Sequence, residues 1–105
     1  MGIHEEIKRL TGTKILFTPY AVKRMNDEEE MILKSEVEKV LLEGELIEDY
    51  PEDSRGHSCL LCTDLGNRYI HVVCAPKEEY VAVITVYVPE PEKWESNFRV
   101  RKEER

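Results

Sequence analysis

Three cysteines and a histidine lie close together in the chain, in an order that superficially suggests zinc. Cys59, Cys62, His71 and Cys74 follow the pattern C-x2-C-x8-H-x2-C. A structural zinc site needs four ligands that converge on the metal. The residues inside each pair are apolar, and on a strand two residues three apart point to opposite faces. We therefore expect buried, reduced cysteines, with no metal and no cofactor.

The histidines are the next candidates for chemistry, because an imidazole with a pKa of about 6.5 moves protons near neutral pH. His57 lies in a polar loop, whereas His71 lies in an apolar stretch. The glycines are scattered and form no phosphate-binding loop, and neither Ser54 nor Ser58 lies in a nucleophile-elbow sequence. Residue type and spacing alone leave His71 open between a functional role and a packing role.

The stretch that contains these residues predicts an antiparallel meander. Residues 58–63, 68–75 and 80–88 are rich in Val, Ile, Thr and Tyr and are joined by short polar turns. Residues 46–50 predict one strand before them. A two-residue turn at Gly66-Asn67 places three residue pairs opposite each other on the face turned to the helices, and directs His71 to the other face. These pairs are Cys59 with Cys74, Leu61 with Val72, and Thr63 with Ile70.

The N-terminal part predicts helices separated by a brief strand. Residues 4–10 have helical spacing, and Gly12 follows as a stop signal. Residues 14–17 predict a short strand. Thr18 and Pro19 then provide an N-cap and a first helical residue for a helix that runs to Met25. Residues 26–34 fit either a continuation of this helix or a separate turn.

A third helix is predicted from its end signals. Ser35 and Glu38 have the spacing of a capping box, and Gly44 stands where a left-handed residue often ends a helix. Beyond the meander, two prolines break the last strand, and we expect Trp94 to pack against the sheet. The tail at 99–105 predicts a frayed end.

Helices followed by strands predict an α+β fold. We expect one domain over residues 1–105, with N-terminal helices on one face of a four-stranded, mostly antiparallel sheet. The formal charge is −7, but residues 26–53 hold twelve acids and two lysines, so a nucleic-acid-binding face elsewhere is not excluded. The chain contains neither an apolar run of membrane-spanning length nor a signal-like N-terminus, which favours a cytoplasmic protein.

Five segments in order resemble one protein family. They are FTPYAVKRM at 17–25, the helix at 37–41, IEDYP at 47–51, RYIHVV at 68–73 and ITVYVPEPEKW at 84–94. Together they look like a family of small prokaryotic domains of unknown function marked by His-Ala-x-x-Arg-Met, a mid-strand His and Ile-Thr-Val-Tyr-x-Pro-x-Pro-x-x-Trp. The resemblance covers about residues 14–95. That family is thought to belong with the RelE/ParE/MqsR-like toxins, whose fold has two helices followed by a curved antiparallel sheet.

The resemblance implies a toxin-like component of a toxin–antitoxin pair. Such a protein cleaves mRNA without a metal or blocks translation at the ribosome, and is held by a small antitoxin. Metal-free cleavage needs a base, a cation for the phosphate and an acid. Motif matching implies Arg24 as the cation, His71 as an acid or base, Tyr87 and Lys93 as supporting groups, and Tyr20 and Trp94 as binding residues.

Two departures from the family pattern leave a rival interpretation open. Tyr20 stands where the family has histidine, and a phenol with a pKa of about 10 is a poor base. The segment between Met25 and Ser35 is also longer and more acidic than the family's link. The chain is therefore either a weakened nuclease or a non-catalytic protein-interaction module. The sequence leaves the substrate, the partner and the oligomeric state open.

Overall fold

The computed structural model describes residues 2–103 of the chain, which form an α+β fold of three helices and five strands. In chain order these are α1 (Ile3–Thr11), β1 (Ile15–Phe17), α2 (Pro19–Met25), α3 (Lys34–Glu43), β2 (Glu45–Tyr50), β3 (Ser58–Asp64), β4 (Tyr69–Pro76) and β5 (Val81–Tyr87). Every predicted helix and strand is present with small shifts of its ends. None of the helices described here is long and apolar enough to cross a membrane.

The strands form one mixed sheet in the order β1-β5-β4-β3-β2. Strands β2 to β5 are antiparallel neighbours, as predicted. The prediction of four strands is wrong, because β1 joins the sheet as a fifth strand and pairs with β5 in parallel, with Ile15 opposite Val81. The sequence identifies β1 as a strand, but its partner comes last in the chain, and local periodicity does not reveal such a pairing.

The core lies between the helices and the inner face of the sheet. The predicted register is confirmed, since Cys59 lies opposite Cys74 and Leu61 opposite Val72. These residues and Ile70 belong to one buried apolar cluster with residues of all three helices. The buried helical residues are Ile7, Leu10, Ala21, Met25, Val37, Val40 and Leu41.

The outer face of the sheet is covered by a C-terminal segment, residues 94–101. Trp94 is 3% exposed, which confirms the prediction that it packs against the sheet. The prediction of a frayed tail is wrong for residues 99–102, since the Lys102 amide donates a hydrogen bond to the Lys93 carbonyl oxygen. Trp94 and Arg101 pair as a short bridge, and Arg99 and Arg101 bind carboxylates of β2. Residues 104–105 lie outside the described residues.

Two predicted helix-end signals act differently in the structure. The capping box predicted from Ser35 and Glu38 does not form. Leu33 is the N-cap residue of α3, and only half of such a motif is present, because Glu36 accepts a hydrogen bond from the Leu33 amide at 2.9 Å while the leucine side chain has no acceptor. Arg68 at the start of β4 holds the same carboxylate, which fixes Glu36 at this position. Gly44 is extended and not left-handed, with φ −66° and ψ 152°. The position requires glycine for steric reasons, because a Cβ there would lie 2.4 Å from the Val40 carbonyl oxygen.

Residues 26–33 form a turn that separates α2 from α3, which resolves the alternative that the sequence leaves open. Arg68 organises this turn by donating hydrogen bonds to the carbonyl oxygens of Glu30 and Met31. Ile32 is 3% exposed and joins the core. Ile32 therefore anchors the turn to the core, whereas its neighbours Met31 and Leu33 are exposed.

Candidate functional site

Helix α2 positions the arginine that the sequence singles out. The Thr18 side chain accepts a hydrogen bond from the Ala21 amide at 3.0 Å and donates one to the Ile84 carbonyl oxygen at 2.7 Å. These two contacts cap α2 and attach it to β5. Ala21 and Met25 face the core, and Arg24 lies on the side that faces away from it.

Arg24 lies over the aromatic ring of Tyr87. Its guanidinium carbon is 5.9 Å from the ring centroid, within the range of a cation–π contact. The guanidinium also pairs with Glu30 at 3.3 Å. Burial alone would lower the pKa of Arg24, but hydrogen bonding to Tyr20 and Glu30 outweighs burial and raises this pKa. The side chain is therefore a fixed positive charge that retains 33% exposure for a ligand.

His71 is fully buried on the outer face of the sheet, and both of its ring nitrogens have partners. Nε2 lies 2.8 Å from the Phe98 carbonyl oxygen, and Nδ1 lies 3.2 Å from the Tyr87 hydroxyl oxygen. A carbonyl oxygen only accepts, so Nε2 carries the hydrogen of the neutral ring. Nδ1 is then the acceptor, and the Tyr87 hydroxyl donates to it.

The surroundings of His71 favour the neutral ring. Burial lowers the pKa of His71 to about 4, against the opposing effects of the Phe98 hydrogen bond and the Glu48 charge. Arg101 lowers this pKa further. The Trp94 ring covers the imidazole edge-on, with 4.5 Å between ring centroids. At neutral pH His71 is thus an uncharged acceptor without contact to solvent.

Tyr87 connects the buried histidine to the surface. Its side chain is half-buried, and burial raises its pKa above the ordinary value of 10, so the phenol stays protonated at neutral pH. The hydroxyl hydrogen points to His71, which leaves the lone pairs of the oxygen for a group outside the protein. The Tyr87 hydroxyl therefore offers a route by which a proton from the surface can reach His71.

Tyr87 and Arg24 border an open cleft with a volume of about 200 Å³. The lining residues are Arg24, Tyr87, Val88, Glu90, Lys93, Trp94 and Arg101. Three cations and one carboxylate therefore surround an aromatic floor, an arrangement suited to an anionic group on an apolar or aromatic molecule.

The structure brings together most of the predicted site residues. Those that border the cleft are Arg24, Tyr87, Lys93 and Trp94. His71 lies behind Tyr87 and does not touch the cleft itself. Tyr20 is 56% exposed and borders a separate groove. The roles assigned to these six residues in RNA chemistry stay predictions.

Sequence reasoning missed Arg101 and Glu48. Arg101 lies over the Trp94 ring at 4.7 Å and pairs with Glu48 at 2.7 Å, so it belongs to the cleft and not to a frayed tail. The available signal was the alternation of Arg99, Val100 and Arg101, which places both arginines on one side of an extended segment. Both reach the edge strand β2.

The cysteines are free and buried, as expected. Cys59 and Cys74 face each other within the core, whereas Cys62 lies opposite His71 on the outer face. Burial raises the pKa of Cys62 to about 11, and a hydrogen bond with Cys59 raises the pKa of Cys74 well above its usual value. Within residues 2–103 no group of three His, Cys, Asp or Glu residues is arranged to hold a metal ion.

Comparison with known proteins identifies a family. Residues 17–88 match the family described as Domain of unknown function (DUF4258). The matched range runs from the end of β1 to just past β5 and includes Arg24, His71 and Tyr87, but not Lys93, Trp94 or Arg101. No curated protein and no solved structure matches the chain.

Proposed function

The chain belongs to the DUF4258 family, and from this premise we propose that it is a toxin-like component of a toxin–antitoxin pair that binds and slowly cleaves RNA in the cleft. The observation that carries the proposal is the chain of contacts from the cleft through the Tyr87 hydroxyl to His71, with Arg24 above it. The RelE/ParE/MqsR-like relation of the sequence motifs and the order of helices before an antiparallel sheet support it.

The cations of the cleft suit a phosphodiester. Arg24 and Lys93 supply positive charge for the non-bridging oxygens, which gain negative charge as the phosphorus is attacked. Arg101 adds a third charge at the rim. Each of the three cations also pairs with a carboxylate, namely Glu30, Glu90 and Glu48 in turn, which reduces the positive charge that it offers. Tyr87 presents its oxygen between these charges, and there a ribose 2′-hydroxyl can donate its hydrogen bond.

The proposed chemistry uses Tyr87 and His71 as one proton acceptor. The 2′-hydroxyl gives its proton to the Tyr87 oxygen while the Tyr87 proton passes to Nδ1 of His71. The 2′-oxygen attacks phosphorus, the bond to the 5′-oxygen breaks, and the Lys93 ammonium donates the proton that this oxygen needs. Because burial disfavours the imidazolium ion, the proposal predicts a slow enzyme, in keeping with a weakened nuclease.

A second candidate function, a non-catalytic protein-interaction module, is favoured by one surface. Val22, Met31 and Leu33 are 45%, 54% and 58% exposed. Val22 and Leu33 border an apolar groove between α2 and the start of α3. Such a surface suits a protein partner. If the protein is a toxin, a small antitoxin can bind to the same surface.

Induced expression tests the proposed function in cells. Wild-type protein should arrest growth, and Arg24→Ala and Tyr87→Phe should each relieve the arrest, because one removes the phosphate-binding charge and the other the proton path. Lys39→Ala, which removes an exposed cation of α3, is the matched control and should stay toxic. If the wild-type protein accumulates in folded form and does not arrest growth, the toxin proposal is wrong and the protein-interaction module is the better interpretation.

A further inference from the structure

A second groove lies on the outer side of the molecule, beside the cleft. It has a volume of about 400 Å³ and is lined by Thr18, Tyr20, Arg55, Lys77, Ala82 and Ile84. None of these residues borders the first cleft. The groove therefore offers an exposed phenol and two cationic side chains around a floor from β5.

The floor of this groove follows from the way α2 meets β5. Strand β1 pairs only as far as Val83 of β5, and beyond that point Thr18 binds the backbone of β5. The register between β4 and β5 shifts at this point, which leaves Ile84 without a partner on β4. The small side chain of Ala82 gives the floor its depth.

The two cations come from different loops that are fastened together. The Lys77 ammonium donates a hydrogen bond to the Arg55 carbonyl oxygen. Gly56 allows this approach, because a Cβ at that position would lie 2.8 Å from the Lys77 nitrogen. Arg55 also pairs with Asp53 at 3.0 Å, so Lys77 is the stronger candidate for a phosphate.

The groove and the cleft both adjoin helix α2 and strand β5. Tyr20 and Arg24 lie one turn apart on the same side of α2, and each borders one of the two sites. Ala82 and Tyr87 lie on the outer face of β5, five residues apart, which corresponds to about 17 Å along a strand.

We propose that this second groove is a subsite for single-stranded RNA, in which Tyr20 stacks on a base and Lys77 holds a phosphate of the strand that leaves the cleft. The inference rests on the proposed function, since it extends the RNA path beyond the cleft. Base stacking on an aromatic ring combined with cations along the backbone is the usual way to bind single strands without strong sequence preference.

Fluorescence anisotropy with labelled uridylates of two lengths tests the subsite. A dinucleotide fills only the cleft, whereas an oligomer of about eight nucleotides also reaches the groove. Tyr20→Ala should weaken binding of the longer RNA about tenfold and weaken dinucleotide binding much less. Tyr20→Phe, which keeps the ring, should restore most of the affinity. Lys77→Ala should reduce the salt dependence of the longer RNA by about 0.7 in log–log slope.

The outcomes separate this inference from the proposed function. Suppose that both RNAs bind and that Tyr20→Ala changes neither affinity, or changes both equally. The proposed subsite is then wrong, while the proposal that the cleft binds RNA still stands. If neither RNA binds the wild-type protein, the proposed function itself fails and the subsite fails with it. Lys39→Ala, on the opposite side of the molecule, controls for a general loss of positive charge and should change neither affinity.

Discussion

Arg101 of the C-terminal segment donates two hydrogen bonds to Glu48 of β2, at 2.7 and 3.1 Å. The same guanidinium lies 4.7 Å from the centroid of the Trp94 ring, which covers His71. One arginine therefore links the edge of the sheet to the residues that keep solvent from the histidine. This link is one of several contacts that hold the C-terminal segment on the outer face of the sheet.

Replacing Arg101 should loosen the C-terminal segment. Arg101→Ala removes a partly exposed ion pair and a cation–π contact, together worth about 1 kcal/mol. We expect the melting temperature to fall by roughly 4–8 °C and the Trp94 fluorescence to shift to the red. Arg9→Ala, which removes the exposed pair with Glu6 on α1, is the control and should change neither observable. An unchanged Trp94 spectrum in Arg101→Ala would show that other contacts hold the segment.

His71 should make stability fall in mild acid. Its pKa is about 4 in the folded protein against about 6.5 when unfolded, so the unfolded state binds more protons between these values. Stability therefore decreases as the pH falls from 6.5 towards 4, by no more than about 1.4 kcal/mol for each pH unit. The charges that face the ring are Glu48 and Arg101, and the neutral Tyr87 lies beside them.

Thermal unfolding from pH 7 to pH 4.5 measures this dependence. His71→Gln cannot take up the proton, so its melting temperature should vary less with pH over this window than that of the wild type. His57→Gln, in an exposed loop pair with Asp49, is the matched control. Equal slopes for the wild type and His71→Gln would mean that His71 is not held neutral by its surroundings.

Gly44 should tolerate no side chain. A Cβ at this position would meet the Val40 carbonyl oxygen at 2.4 Å and side-chain atoms of Leu61 and Val40 at 3.2 Å. Gly44→Ala should therefore cost about 1–3 kcal/mol through overpacking where α3 meets β3. Gly12→Ala is the control, because its nearest contact is 3.6 Å and its φ is −76°, and chemical denaturation should find it neutral or slightly stabilised. Equal stability of the two variants would contradict the packing described at Gly44.

The sequence was most informative where structure is local. The period-two pattern and the Gly66-Asn67 turn correctly place Cys59 opposite Cys74, and Thr18 with Pro19 correctly begins α2. The parallel pairing of β1 with β5 had no local signal, because it depends on contacts between the two ends of the family-matched region. Likewise the carboxylate of Glu36, which accepts the Leu33 amide hydrogen bond at the start of α3, is also held by Arg68, 32 positions away in the chain.

The candidate site was predictable in its members but not in its arrangement. Motif resemblance selects Arg24, His71 and Tyr87, and the first and third meet at the cleft. The sequence does not show that His71 is sealed beneath Trp94, because the seal depends on Arg101 binding Glu48 across the molecule. From the sequence alone, the charged C-terminal residues predict an unstructured tail, because the strand residues that bind them are far away in the chain.

The cleavage rate of a labelled oligoribonucleotide by the purified protein tests whether Tyr87 and His71 act together on RNA. We expect slow cleavage by the wild type, no cleavage when 2′-O-methyl groups block the ribose, and a loss of about a hundredfold in Tyr87→Phe and in His71→Gln, with the fold retained. The same preparations of Lys39→Ala should cleave as the wild type does. No cleavage by the wild type, or equal cleavage by the wild type and both variants, would contradict the proposal that Tyr87 and His71 act as one proton acceptor.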